Sequence, residues 1–126
     1  MNLENGYQYH EGMFKDFRLS EFDCPCCSAN GINLGVISRL QIVRDEIQKP
    51  IIINSGYRCS RHNIAIGGEK NSQHLIGNAV DIKLDCYNEK EQHLILQMSL
   101  SLFRGIGIYK TFLHLDLAEK RIWVKN

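Results

Sequence analysis

Apolar positions recur along this chain in two periods, and the periods trade places between helix and strand. From 35 to 48, Val36, Ile37, Leu40, Val43 and Ile47 fall at the three- and four-residue spacings that put one apolar stripe on a helix. Pro50 cannot continue that helix. Ile51-Ile52-Ile53 then predicts a buried strand leading into a turn at Ser55-Gly56. Residues 79–84 predict a second strand, with Asp81 on one face and Val80 and Ile82 on the other. Asn88 and Glu91 have capping-box spacing, with Asn standing where Ser or Thr is usual. Behind that cap, Leu94, Ile95, Met98 and Leu102 form a second helical stripe. Leu96, Leu100 and Phe103 fall off it, which predicts a helix buried on more than one side. Strands over 105–109, 112–117 and 121–125 close the chain.

Shorter segments complete the layout. Leu19-Ser20-Glu21-Phe22 predicts a helical turn, with Ser20 as its cap and Phe22 as an anchor into the core. Residues 1–16, broken by Gly6 and Gly12, predict a loosely attached arm, and residues 17–126 a single domain. Residues 58–77 are rich in Gly, Asn and Ser around Ile64-Ala65-Ile66, which predicts a long loop with one helical turn. A long ordered loop in a compact domain is more often functional than not. The expected fold is α+β, a small and mainly antiparallel sheet with helices packed on one side.

Composition narrows the function classes. A chain of 126 residues with net charge +1 carries no field to draw nucleic acid or an anionic membrane. Its dense charges, Glu89-Lys90-Glu91 and Glu119-Lys120-Arg121, mix signs and read as solvated faces. The start MNLENGYQYHEGMFKDF has no apolar signal-peptide core, and no apolar run approaches the ~18 residues of a membrane span. Synthesis in a cytoplasm, no membrane insertion, no nucleic-acid partner and a monomer are therefore expected. The five cysteines, an odd number, argue against a disulfide framework there. Cys24 and Cys27 have CxxC spacing without a second such pair. With Cys26 and Cys59 they could close a four-thiolate site, stay as free thiols or form a disulfide after release; Cys86 has no expected role.

The candidate chemistry lies in Ser72, His74, Gly77, Ala79 and Asp81, the run SxHxxGxAxD, and in His114 within FLHLDL. Two imidazoles and one carboxylate make a three-ligand zinc set, one ion per chain, with a fourth position open for water. Alternation in the 112–117 strand sends His114 and Asp116 to one face and Leu113 and Leu115 to the other. Among the other histidines, His10 is expected in solvent on the arm and His93 on the surface. His62 is expected near the substrate or in a structural role.

Around this core stand Ser55-Gly56-Tyr57-Arg58, Asn63, Gly67-Gly68, Gly105-Ile106-Gly107, Tyr109 and Trp123. From about Phe17 to Trp123 the pattern resembles the M15 family of zinc peptidases, D-alanyl-D-alanine carboxypeptidase-like enzymes that cut bacterial peptidoglycan peptides, including phage endolysins. The resemblance implies zinc on His74, Asp81 and His114, and a peptidoglycan stem peptide as the partner. It implies that Arg58 holds a carboxylate or stabilises an oxyanion. Ser72 is expected beside the substrate or as a loop cap. In many relatives an acidic residue three positions before the last zinc histidine is the general base; Thr111 stands there in this chain. Asp116 is the remaining candidate for that catalytic role, or else the carboxylate that orients His114. Tyr57 and Trp123 are expected in the core. The expected activity is a D,D-carboxypeptidase or an endopeptidase, acting at the wall after release or as part of a virion. The alternative is a non-catalytic wall-binding or virion structural module that keeps the fold and metal.

Overall fold

The computed structural model describes residues 14–125. Of the expected arm, residues 1–13, including His10, lie outside the described residues. Residues 14–16 pack on the domain: Phe14 lies against the core, and the Gln41 amide donates to Asp16 Oδ2 at 2.7 Å.

Three helices form among the described residues: α1 (Leu34–Ile47), α2 (Ser60–Ala65) and α3 (Glu89–Leu102). They accompany five strands: β1 (Ile53–Ser55), β2 (Ala79–Lys83), β3 (Gly105–Tyr109), β4 (Phe112–Asp116) and β5 (Arg121–Lys125). Asn33 caps α1 by accepting from the Gly35 N–H at 2.8 Å, and Gln48 ends it in the left-handed conformation. Asn88 and Glu91 cap α3 reciprocally, at 2.8 and 3.0 Å. Leu19–Phe22 is a 3-10 turn with Phe22 fully buried, as expected. Its start is held not by Ser20 but by Glu21, whose carboxylate accepts from the Arg18 N–H at 2.6 Å. The 58–77 loop holds two short helical pieces rather than one: α2 and a 3-10 turn at Gln73–Ile76.

The strands form one sheet in the order β1-β2-β4-β3-β5. Every neighbouring pair is antiparallel except β3 and β5, which run parallel. One face carries Val80, Ile82, Ile106, Leu113 and Leu115, all buried against Val36, Ile37, Leu40 and Val43 of α1 and Ile95 of α3. The helical layer thus covers one side, and the fold is α+β. Two local expectations change. The Ile51–Ile53 run enters the sheet only at Ile53, and Ile52 is 47% exposed, because β1 is an edge strand with one neighbour. The helix α3 is one-sided: Leu96 and Phe103 pack on the core, while Leu100 faces out. Among the described residues no helix is long and apolar enough to cross a membrane.

Candidate metal centre

Sheet register assembles the site on the face away from α1 and α3. Asp81 on β2 pairs with His114 on β4, His114 with Gly107 on β3, and Gly107 with Trp123 on β5. One row across four strands therefore reads Asp81, His114, Gly107, Trp123. The next row reads Ala79, Asp116, Gly105, Arg121. Directly opposed residues share a face, so each row sets its side chains shoulder to shoulder. Glycine is required in the β3 position of both rows. A Cβ at Gly107 would lie 2.5 Å from the Trp123 ring, and one at Gly105 only 2.2 Å from Asp116 Oδ1. The missing side chains let Trp123 lean to 5.3 Å from the His114 ring and let Arg121 grip Asp116.

Three lone pairs converge at the centre of the first row. His74 Nδ1 donates to the Gly56 carbonyl at 2.7 Å; a carbonyl only accepts, so the proton sits on Nδ1 and Nε2 carries a lone pair. His114 Nε2 donates to Asp116 Oδ2 at 2.7 Å, which leaves the lone pair on Nδ1. Asp81 Oδ1 faces both, 3.2 Å from His74 Nε2 and 3.0 Å from His114 Nδ1. Three acceptors this close repel unless a cation or proton sits among them. The three ligand atoms lie within 4.8 Å of one another, and ligands on a tetrahedral zinc at about 2.0–2.1 Å would stand roughly 3.3 Å apart. The donor set fits the ion. The electrostatics of the cluster point the same way. Burial opposes the charge of Asp81, yet His114 and His74, when a proton sits between them and the carboxylate, hold its carboxyl down at about 2. Burial opposes the charge of His114, yet Asp116 and Asp81 raise its pKa. The pocket is built to attract positive charge. A metal arriving there must displace the protons, so affinity falls as pH falls.

Arg58 stands behind Asp81. Its Nε donates to Ser55 Oγ at 3.1 Å, Nη1 to Asn63 Oδ1 at 3.0 Å and Nη2 to Asp81 Oδ2 at 3.4 Å. These bonds use three of the five guanidinium donors, leaving one on each terminal nitrogen for an incoming oxygen. Asn63, a buried residue given no role from sequence, fixes the fork; its amide donates to the Glu69 carbonyl at 2.8 Å. Ser72 caps the Gln73–Ile76 turn, its Oγ accepting from the His74 N–H at 3.2 Å, and also lines the cleft.

That cleft has a volume of about 300 Å³ and is lined by His74, Asp81 and His114, by Arg58 and Ser72, and by an aromatic wall. The wall is Tyr109, Phe112 and Trp123, with the first two rings stacked at 4.3 Å and the Trp123 indole N–H donating to Tyr109 Oη at 3.1 Å. Trp123, expected in the core, is thus a cleft residue, brought there by the parallel pairing of β5. Tyr57 is half-buried and does not line the cleft; His62 does not line it either, and His93 is exposed.

Of the two roles open to Asp116, its surroundings suit the orienting one. It is fully buried and does not line the cleft. Oδ2 accepts from His114 Nε2 and from Arg121 Nη2, both at 2.7 Å, and Oδ1 accepts from Arg121 Nη1 and the Ala118 N–H, both at 3.0 Å. A carboxylate so engaged, held well below its ordinary pKa by those donors against its burial, is a poor proton acceptor. It fixes the tautomer and ring angle of His114. Asp116→Asn should weaken zinc affinity by about 10- to 100-fold, read by competition with a fluorescent chelator; unchanged affinity would remove the orienting role. The position of the expected base, Thr111, is an exposed turn residue whose carbonyl accepts from the Leu84 N–H at 2.9 Å. The other carboxylate on the cleft wall besides Asp81 is Glu69, without an ion pair among the described residues. No sequence pattern marked it.

A family model described as Peptidase M15 matches residues 15–116, a span that holds Arg58, Glu69, Ser72, the three converging ligands and, at its last position, Asp116. No curated protein matches the chain. With most of its length inside that match, the chain belongs to the peptidase M15 family, a family of metallopeptidases.

Proposed function

We propose that the protein is a zinc-dependent hydrolase of peptide bonds in bacterial peptidoglycan stem peptides, a D,D-carboxypeptidase or an endopeptidase acting at the cell wall. The observation that carries this reading is the meeting of three lone pairs, on His74, Asp81 and His114, at the floor of a cleft that also presents the Arg58 fork. His74, Asp81 and His114 would hold a zinc ion, which would supply a Lewis acid to polarise a carbonyl and acidify a water. The rest falls to the chain. The free N–H groups of Arg58 bind a substrate carboxylate or the oxyanion that develops at the scissile carbonyl. The aromatic wall shields the reacting bond from bulk water, and Ser72 offers its hydroxyl proton to the peptide. Asp116 keeps His114 in one tautomer. Glu69 takes a proton from the attacking water at its carboxylate and returns it to the leaving amine.

Glu69→Gln should lower kcat by about 10²- to 10⁴-fold with zinc content unchanged; a kcat within twofold of the parent would pass the proton transfer to another group. The activity itself is read by incubating the zinc-loaded protein with purified muropeptides and weighing the products by mass spectrometry. Loss of a terminal D-alanine marks the carboxypeptidase, and a split stem or cross-bridge the endopeptidase. Intact muropeptides that co-sediment with the protein would instead support the non-catalytic wall-binding module, the reading that Thr111 favours.

A further inference from the structure

We infer that Cys24, Cys26, Cys27 and Cys59 form a second metal site, a tetrathiolate centre for one structural zinc ion, separate from the His74–Asp81–His114 set. Their sulfurs all lie within 4.8 Å of one another. Cys26 Sγ stands 3.6 Å from Cys24 Sγ and 3.3 Å from Cys59 Sγ. Four sulfurs on a tetrahedral zinc at about 2.3 Å would stand roughly 3.8 Å apart. The cluster therefore has the size of the ion's coordination shell.

The backbone is arranged to gather and charge these sulfurs. Residues 24–29 fold into a tight turn: the Ser28 N–H donates to the Cys24 carbonyl and the Cys24 N–H to the Ala29 carbonyl, both at 2.8 Å. Ser28 takes a left-handed φ of 60°, a conformation that disfavours a side chain, and so reverses the chain beside Cys27. Amide donors point at sulfur: the Cys59 N–H at Cys24 Sγ and the His62 N–H at Cys59 Sγ, each 3.4 Å. Donors behind metal-bound ligands serve this purpose.

Soft sulfur ligands without an oxygen among them select zinc over harder cations. Four protein ligands leave no open position, so the site is structural rather than catalytic. A disulfide would use only two of the four and would leave the gathered pair unexplained. The place in the fold supplies the role. Cys59 follows Arg58 directly and caps α2, while the Cys24–Cys27 turn follows the Phe22 anchor, whose carbonyl accepts from the Tyr57 N–H at 2.9 Å. A metal here ties the turn to the segment that aims Arg58 and Asn63.

The test uses the whole chain purified under reducing conditions. Metal analysis should return two zinc ions per chain in the parent and one in His74→Ala. Cobalt-substituted His74→Ala should show the intense near-ultraviolet thiolate-to-cobalt band, lost in Cys26→Ser/Cys59→Ser. Titration of the native protein with a thiol reagent should find one reactive cysteine, Cys86, and five after denaturation with a chelator. These readouts on unmutated cysteines decide the matter even if the double variant fails to fold. His74→Ala protein without zinc or the cobalt band, five reactive thiols in the native state, or a disulfide within the cluster after reducing purification would overturn the site. Missing muropeptide cleavage with the cobalt band intact would count against the proposed function alone.

Discussion

His74→Ala loses the zinc of the cleft and at least about 10³-fold in kcat/KM. The size follows from what the ion supplies: several kcal/mol of transition-state stabilisation, at tenfold in rate per 1.36 kcal/mol. The residue is 2% exposed, its Nδ1 is already tied to the Gly56 carbonyl, and its Nε2 faces Asp81 Oδ1 at 3.2 Å, where the proposed ion would sit. Without it, Asp81 and His114 form a two-ligand fragment that binds zinc weakly. Metal content and muropeptide turnover are measured on one preparation, and thermal unfolding is compared between metal-free parent and variant to separate ligand loss from packing loss. Cleft zinc retained with more than a tenth of the parent activity would contradict the assignment.

Arg58→Lys comes next in size, about 10²- to 10³-fold in kcat, against a stability loss of only ~1–3 kcal/mol. Lysine keeps the charge but brings a single donor centre, whereas Arg58 spans Ser55, Asn63 and Asp81, lines the cleft and still keeps two N–H groups unspent. The split between kcat and KM carries the information. An arginine that stabilises developing charge loses kcat; one that merely anchors a terminal carboxylate loses KM. Parent-like kcat and KM, with unfolding at lower denaturant, would make Arg58 a strut for Asp81 and no more.

Much of this site was legible without coordinates, because its ligands sit in a compact pattern on a predicted strand. SxHxxGxAxD and the HxD of β4 name His74, Asp81 and His114, and period-two alternation puts His114 and Asp116 on one face. What stayed hidden depends on register and on backbone atoms. That β5 runs parallel to β3, bringing Trp123 to His114 and Arg121 to Asp116, has no local period behind it. Gly105 and Gly107 were its only trace. The choice of Nε2 on His74 and Nδ1 on His114 rests on the Gly56 carbonyl and on Asp116, which motif spacing does not report. An apolar run such as Ile51–Ile53 announces a strand but not the point where pairing begins, and here an irregularity between Ile53 and Ser55 shifts it. Glu69 reaches the cleft through the loop path after Gly68, where nothing is periodic.

The most direct test is a crystal structure of the zinc-loaded protein with an anomalous difference map at the zinc edge. A peak is expected on the cleft floor, about 2.0–2.2 Å from His74 Nε2, Asp81 Oδ1 and His114 Nδ1, with solvent as the remaining ligand. A map from zinc-saturated crystals with no density at that point, or with a fourth protein atom closing the shell, would contradict it.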